Sequence, residues 1–288
     1  MNMLKKIFVI FLILTGLFII MTNLPLFSWF GLNNEQKEAN VTDKVELIKI
    51  QTTSVPTTII PEDRDDIVID YEGQGSVDLH QGDDEIEIDA KGPKFQFGLF
   101  NRNSKLTIYI PEDYDRNISL KVGSGTLLLE GHSSQKPLSL EDLAVDIGSG
   151  KLELRNIEAN LIEQKGSSGY AKLENIEANT GSFEISSGKL MIRHYSGALD
   201  AQVSSGFMDI QFDTLTGNSE VKVSSGSAKL DLPDDADFTL IGKISSGKID
   251  HDFQLTDKSS GKNHIEGKYG SGDNKLDLQV SSGHINLY

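Results

Sequence analysis

Lys151, Tyr170, Lys189 and Phe207 each stand one residue after a glycine that closes a Ser-Ser-Gly or Gly-Ser-Gly phrase. If successive phrases stack, these four side chains form an alternating cation–aromatic ladder at a spacing of roughly 5 Å. Two readings suit such a ladder. Exposed rings in a row can stack on sugars, or the lysines can simply cover the rings, at about 0.5–1 kcal/mol per exposed contact. Ser-x-x-Lys phrases include Ser186–Lys189, Ser245–Lys248 and Ser259–Lys262. That spacing serves a serine nucleophile and its base in β-lactamases. Here the serines fall at corners of a repeat and the companion motifs are missing, which favours a structural role.

The six histidines, His80, His132, His194, His251, His264 and His284, are scattered without metal-ligand spacing. His251 alone occupies an inward slot of the pattern described next, which suits a hydrogen-bonded histidine at the end of a core. Asp234, Asp235 and Asp237 could hold calcium, but turns contain such residues anyway, and the calcium-binding nonapeptide is absent. There is no cysteine, so disulfides, thiolate metal sites and thiol nucleophiles are excluded. The sequence implies no cofactor and no metal.

The elements that must position these residues repeat. The closing glycines are Gly125, Gly150, Gly169, Gly188, Gly206, Gly226, Gly247 and Gly283, 18 to 21 residues apart from Gly150 to Gly247. Three residues before most of them stands an aliphatic side chain, and two and four residues after them stand more. Each flank alternates with period 2, so each is a strand with one buried face. Across the tripeptide the inward set changes parity, which a continuous strand cannot do without turning its core face to solvent. The tripeptide is therefore a corner, where glycine would supply a positive φ and serine would let the next coil stack closely. Asn156-Ile-Glu-Ala-Asn160 recurs 19 residues on as Asn175-Ile-Glu-Ala-Asn179. A fixed period of this size is the signature of a solenoid whose coils bury their apolar faces against each other. The expected fold is all-β, a parallel β-helix or β-solenoid of two or three short strands per coil, with right-handed winding favoured.

Lys5 and Lys6 precede an apolar run, Ile7 to Met21, that extends to Phe27. The longer run spans about 31 Å as a helix, enough to cross a bilayer. Residues 1–30 thus read as a cytoplasmic tip and a single transmembrane signal anchor, with the remainder outside. A cleaved signal peptide is the rival, but the flanking residues offer no good cleavage site. Residues 31–44 read as a polar stalk. Residues 45–118 read as a cap and irregular coils, 119–251 as regular coils, and 252–288 as an excursion and last coil. The strand His284–Tyr288 would then lie at an open edge, a surface for a partner strand or a second copy unless the excursion covers it. Residues 31–288 carry 25 basic and 43 acidic side chains, a net charge of −18. That argues against nucleic acid or anionic lipid as the main partner.

The Ser-Ser-Gly-x-apolar phrases, the strand Leu106-Thr-Ile-Tyr-Ile-Pro111 and the closing Gly267-x-x-Gly270-x-Gly272…Val280-Ser-Ser-Gly283-His-Ile285 together resemble the bacterial putative-adhesin β-strand-repeat family. The resemblance covers about residues 45–288. It implies a membrane-anchored, extracytoplasmic β-solenoid with no established enzymatic activity and no catalytic residues to transfer. Three functions remain in play. The first is an interaction or structural module of the cell envelope, tied to envelope stress and taking an envelope protein or cell-wall glycan as partner. The others are a polysaccharide-acting enzyme on a β-helix scaffold, and a regulator that contacts a membrane sensor.

Overall fold

The computed structural model describes residues 33–92 and 104–288, and the expected membrane anchor lies outside them. Among the described residues there are twenty-two β-strands and no helix that could cross a membrane. The regular part is built from β10 (Leu138–Ile147), β11 (Lys151–Gly166), β12 (Tyr170–Ile185), β13 (Lys189–Val203) and β14 (Phe207–Leu215), each paired in parallel with the next. Buried positions in β11 run 152, 154, 156, 157, 159, 162, 164 and 166, so the inward face changes parity twice within the strand. Each change falls at an asparagine. Asn156 and its counterpart Asn175 adopt left-handed φ values of 54° and 55°. Asparagine tolerates that conformation better than most side chains. Asn175 Nδ2 donates to Asn156 Oδ1 at 2.9 Å, and Asn179 Nδ2 to Asn160 Oδ1 at 2.8 Å. The repeated phrase therefore supplies two corners per coil, each held to the next coil by an amide ladder. With the Ser-Ser-Gly corner, a regular coil has three.

The glycine corner differs from expectation in its physics. None of the eight closing glycines has a positive φ. Each is glycine because there is no room. A methyl group built on Gly169 would sit 2.6 Å from the Gly150 carbonyl oxygen, and one on Gly125 would sit 2.7 Å from the Val55 oxygen. The alpha carbons stack so closely that a side chain would meet the backbone of the coil before.

The inward alternation packs as the pattern requires. Val122, Ile147, Ile185, Val203, Val223 and Val280 before the corner are buried, as are Leu127, Leu152, Leu190, Met208, Ile249 and Ile285 after it. Gly166 is buried too, and the Ile185 side chain fills its slot. Only Ile244 and His251 are half-exposed, and both lie in the outermost coil. His251 Nδ1 lies 3.0 Å from the Phe253 carbonyl, the hydrogen-bonded end of the core that its position suggested.

At both ends the spatial order departs from the chain order. Towards the C-terminal end, β15 (Ser219–Val223) and β16 (Ser227–Asp231) pair with β21 (Asn274–Val280) and β22 (His284–Leu287). These in turn pair with β17 (Phe238–Ile244) and β18 (Lys248–His251). The coil later in sequence thus lies inside the earlier one. The hairpin β19 (Thr256–Ser260) and β20 (His264–Tyr269) then adds antiparallel to β17. Towards the other end, β8 (Asn117–Val122) and β9 (Thr126–Glu130) pair with β2 (Leu47–Thr53) and β3 (Thr57–Glu62). Outside these lie β6 (Glu85–Lys91) and β7 (Lys105–Pro111). There β5 (Ser76–Gln81) adds to β6, β4 (Asp66–Gly73) to β7, and β1 (Asn33–Asn40) to β4, all antiparallel.

Two expectations are corrected here. The strand at His284–Leu287 is not an edge, because β16 and β18 flank it on both sides. The premise for self-association there is removed, and the excursion covers β17 instead of β22. The polar stretch 31–44 is not a free stalk either. It contains β1, with Ala39 buried, because its backbone groups complete the sheet beside β4.

Candidate functional site

The ladder foreseen from spacing is present. Lys151 lies in register with Tyr170, Tyr170 with Lys189, and Lys189 with Phe207. Lys151 Nζ lies 6.0 Å from the Tyr170 ring centroid, and Lys189 Nζ lies 5.3 Å from that of Phe207. Both rings are half-buried and both lysines are exposed, so the lysines lean over the rings. The rings keep an open side.

Beside the ladder runs an open groove of about 580 Å³. It crosses four successive corners, from Ser124-Gly125-Thr126 to Ser187-Gly188-Lys189. Its floor is backbone. The Gly148 and Gly150 carbonyls accept from the Ser168 and Tyr170 N–H groups at 2.9 and 3.0 Å. Between those rungs, the Ser149 carbonyl and the Gly169 N–H take no partner among the described residues. The same Ser–Gly peptide is left unpaired at Ser124–Gly125, Ser149–Gly150, Ser168–Gly169 and Ser187–Gly188, because the bend swings it out of the ladder. Unpaired peptide groups of this kind must face solvent or a ligand. The groove thus offers one donor and one acceptor per coil, flanked by rings and ammonium groups.

Charges next to the groove are largely spent on each other. Lys151 bridges Glu153 at 2.5 Å, and Arg155 reaches Glu153 at 2.8 Å and Glu130 at 3.5 Å. The hydrogen bond from Lys151 holds the Glu153 carboxyl below its usual range. Lys172 does the same to Glu174 at 2.8 Å. Arg193 bonds Asp209 at 2.9 Å, and that hydrogen bond raises the guanidinium's own value. Further along this face, burial pushes the Asp231 carboxyl and the Tyr288 phenol up.

The other candidates do not assemble. In the pairs Ser186–Lys189, Ser245–Lys248 and Ser259–Lys262 no hydrogen bond joins serine to lysine among the described residues; Ser259 instead faces His264 Nε2 at 3.3 Å. His132, His194 and His284 each meet one carboxylate, of Glu112, Asp213 and Asp250. No group of three ligating side chains is placed to hold a metal ion among the described residues. Asp237 has a structural task. Its carboxylate accepts from Ser271 Oγ at 2.5 Å and from the backbone N–H groups of Ser271, Gly272 and Asp273 at 2.9, 2.5 and 2.7 Å. These bonds, led by the Ser271 hydroxyl, hold it at about 2. Gly270 and Gly272, with φ of 69° and 81°, make the nest that ties the β20–β21 connection to β17. Sequence reasoning missed this nest, the asparagine corners and the unpaired peptides. The only available signals were the repeated Asn-Ile-Glu-Ala-Asn phrase and the glycine spacing near 270.

Two solved structures share this architecture. A putative adhesin from Bacteroides fragilis is 14% identical, covering 88% of this chain and 96% of that one, with a TM-score of 0.51. A putative adhesin from Parabacteroides distasonis is also 14% identical, covering 90% and 98%, with a TM-score of 0.50. At that identity the likeness concerns the fold alone. No curated protein matches the sequence. The profile of one family spans residues 45–288, from just before β2 to the last residue, and on that match the chain belongs to the Toastrack DUF4097 family.

Proposed function

We propose that this chain is a binding module of the bacterial cell envelope, anchored by residues 1–30 with its solenoid outside the cytoplasmic membrane, and that the corner groove takes a cell-wall glycan. The apolar run at 7–27 ahead of the domain supports the anchor. Together with the family match it suits the finer likeness to LiaG-like membrane-anchored proteins, and the proposed link to envelope stress rests on that likeness alone. The observation that carries the binding reading is the groove itself. Tyr170 lines the groove beside a row of Ser–Gly peptides with free donors and acceptors, and Phe207 stands in the same row one coil beyond its end. A sugar has apolar faces for the rings and hydroxyls that both donate and accept, which is the chemistry the groove offers. The carboxylates described beside the groove, Glu153 and Glu174, are held in ion pairs by Lys151, Arg155 and Lys172, which suits binding better than acid–base chemistry.

The test is co-sedimentation of the full-length protein, in detergent micelles, with insoluble cell-wall polysaccharide. The Tyr170→Ala/Phe207→Ala double variant should be retained about tenfold less tightly, two ring contacts being worth about 1.4 kcal/mol. Equal retention of the wild type and a folded double variant would sink the reading.

A further inference from the structure

We propose that the glycan in this groove is acidic, with its carboxylate or phosphodiester seated at Lys189 and neutral sugar faces against Tyr170 and Phe207. This rests on the glycan reading of the groove and narrows it to a ligand class.

The support comes from how outward lysines are compensated. In several strands of the solenoid an outward lysine is paired within its own strand to a carboxylate two residues away. Lys151–Glu153 measures 2.5 Å, Lys172–Glu174 2.8 Å, Lys222–Glu220 2.6 Å, Lys248–Asp250 2.7 Å and Lys275–Asp277 2.9 Å. Two residues after Lys189 stands Met191, whose sulfur accepts the Tyr170 hydroxyl at 3.4 Å. The register neighbours of Lys189 are the rings of Tyr170 and Phe207. The nearby Asp209 is held by Arg193. Lys189 makes no ion pair among the described residues. Lys121 and Lys165 also lack one, but they alternate in register with Asp146 and Glu184, so opposite charge stands on the adjoining strands. Lys229 lies in register with Asp209, and Lys243, beside His264 and Gln279, does not line the groove. Lys189 has apolar rings in those places.

A cation left without a counter-charge in a protein of net charge −16 is a local attraction for an anion within a repelling field. The two together select a ligand. A densely charged polymer is disfavoured by the whole surface, whereas a chain with one anionic group among neutral sugars meets Lys189 and leaves the rings to the neutral units. A small free anion would gain from Lys189 alone and would leave the four-coil groove unused.

The experiment is titration of the full-length protein in detergent micelles with three probes. They are a hyaluronan hexamer (one carboxylate per disaccharide), neutral chitohexaose and poly(glycerol phosphate). Wild type should bind the hyaluronan hexamer about two- to fivefold more tightly than chitohexaose, the range of one exposed charge contact. Lys189→Gln should bring that ratio to about one. Met191→Glu, which supplies the partner that other lysines have, should do the same while Lys189 remains. Tighter binding of poly(glycerol phosphate) than of the hyaluronan hexamer would overturn the assignment, because that polymer is densely charged and offers the rings no sugar face. Equal binding of charged and neutral probes by wild type, or a ratio unmoved in both variants, overturns the acidic-ligand assignment and leaves the glycan reading standing. Failure of all three probes to bind would remove both.

Discussion

The middle of the solenoid and its two ends solve the same problem differently. Between residues 138 and 215 each coil follows its predecessor in space as in sequence, and three corners recur. At the ends the coils keep only the glycine-type corner or its substitute. There the order inverts, so that β21/β22 and β2/β3 lie one coil in from β17/β18 and β6/β7. Antiparallel strands then close each stack. What remains as edge is short or polar: β18 has four residues, and all five residues of β19, Thr256-Asp-Lys-Ser-Ser260, are exposed. The contrast teaches that repetition alone extends a stack but cannot end it, because every added coil presents a fresh row of unpaired backbone groups.

The corner residue itself shows the contrast. Val55 stands in the β2–β3 corner where later coils have glycine, and it is fully buried. In the middle the same side chain has no space.

The largest expected effect breaks the inverted end. A chain stopped after Asp273 loses the inner coil, with Leu276, Leu278, Val280, Ile285 and Leu287, all buried. At about 1.5–3 kcal/mol per buried side chain, the loss rivals the whole stability of a typical domain. Hydrogen exchange should show residues 219–273 unprotected while 138–203 stay protected. Wild-type protection throughout would mean that the outer coil can substitute directly for the inner one. A smaller effect tests the middle. Gly226→Val places a side chain against the Gly206 carbonyl oxygen and should cost about 3 kcal/mol, the upper range for overpacking, read from the urea midpoint. A loss below about 1 kcal/mol would show that stacked corners can part to make room.

The smallest effect concerns the tie that holds the inversion in place. The Asp237 carboxylate is held at about 2, below the usual value of about 3.9 in an unfolded chain. A depressed value contributes stability that is present above about pH 4 and is lost as pH falls towards 2. Asp237→Asn should lower the melting temperature at pH 6, and the gap to wild type should narrow between pH 4 and pH 2. A gap of constant size across that interval would assign the effect to packing at residue 237 and not to the nest.

Much of the middle was legible because alternation reports directly which side chains face inward. The expected inward positions at 122, 152, 190, 208 and 285 are all buried. The in-register ladder of Lys151, Tyr170, Lys189 and Phe207 was legible for the same reason, since a fixed offset from a stacked glycine fixes the row. The role of the glycines was misread. Positive φ is one reason for glycine and lack of space is another, and a single chain distinguishes them only when the neighbouring backbone is known. The asparagines were visible as a repeated phrase, but their left-handed φ was not. The inversion of coils at the ends was illegible because period-2 patterning identifies a buried face without saying which coil lies next to it. The groove floor was hidden similarly, since an unpaired peptide leaves no mark on side-chain composition.

The inverted end also imposes an order in time. Residues 238–269 leave the ribosome before residues 274–287, yet the later segment must come to rest between β16 and β18. When the hairpin β19–β20 first forms, its coil has no finished seat. It must wait apart or lie provisionally on β15/β16 and move outward by one rung. Growth of this molecule therefore cannot run as simple winding from one end to the other. By either route β21/β22 must reach β15/β16 before the outer coil has its final seat, and until then the parallel stack carries an exposed seam at Gly226.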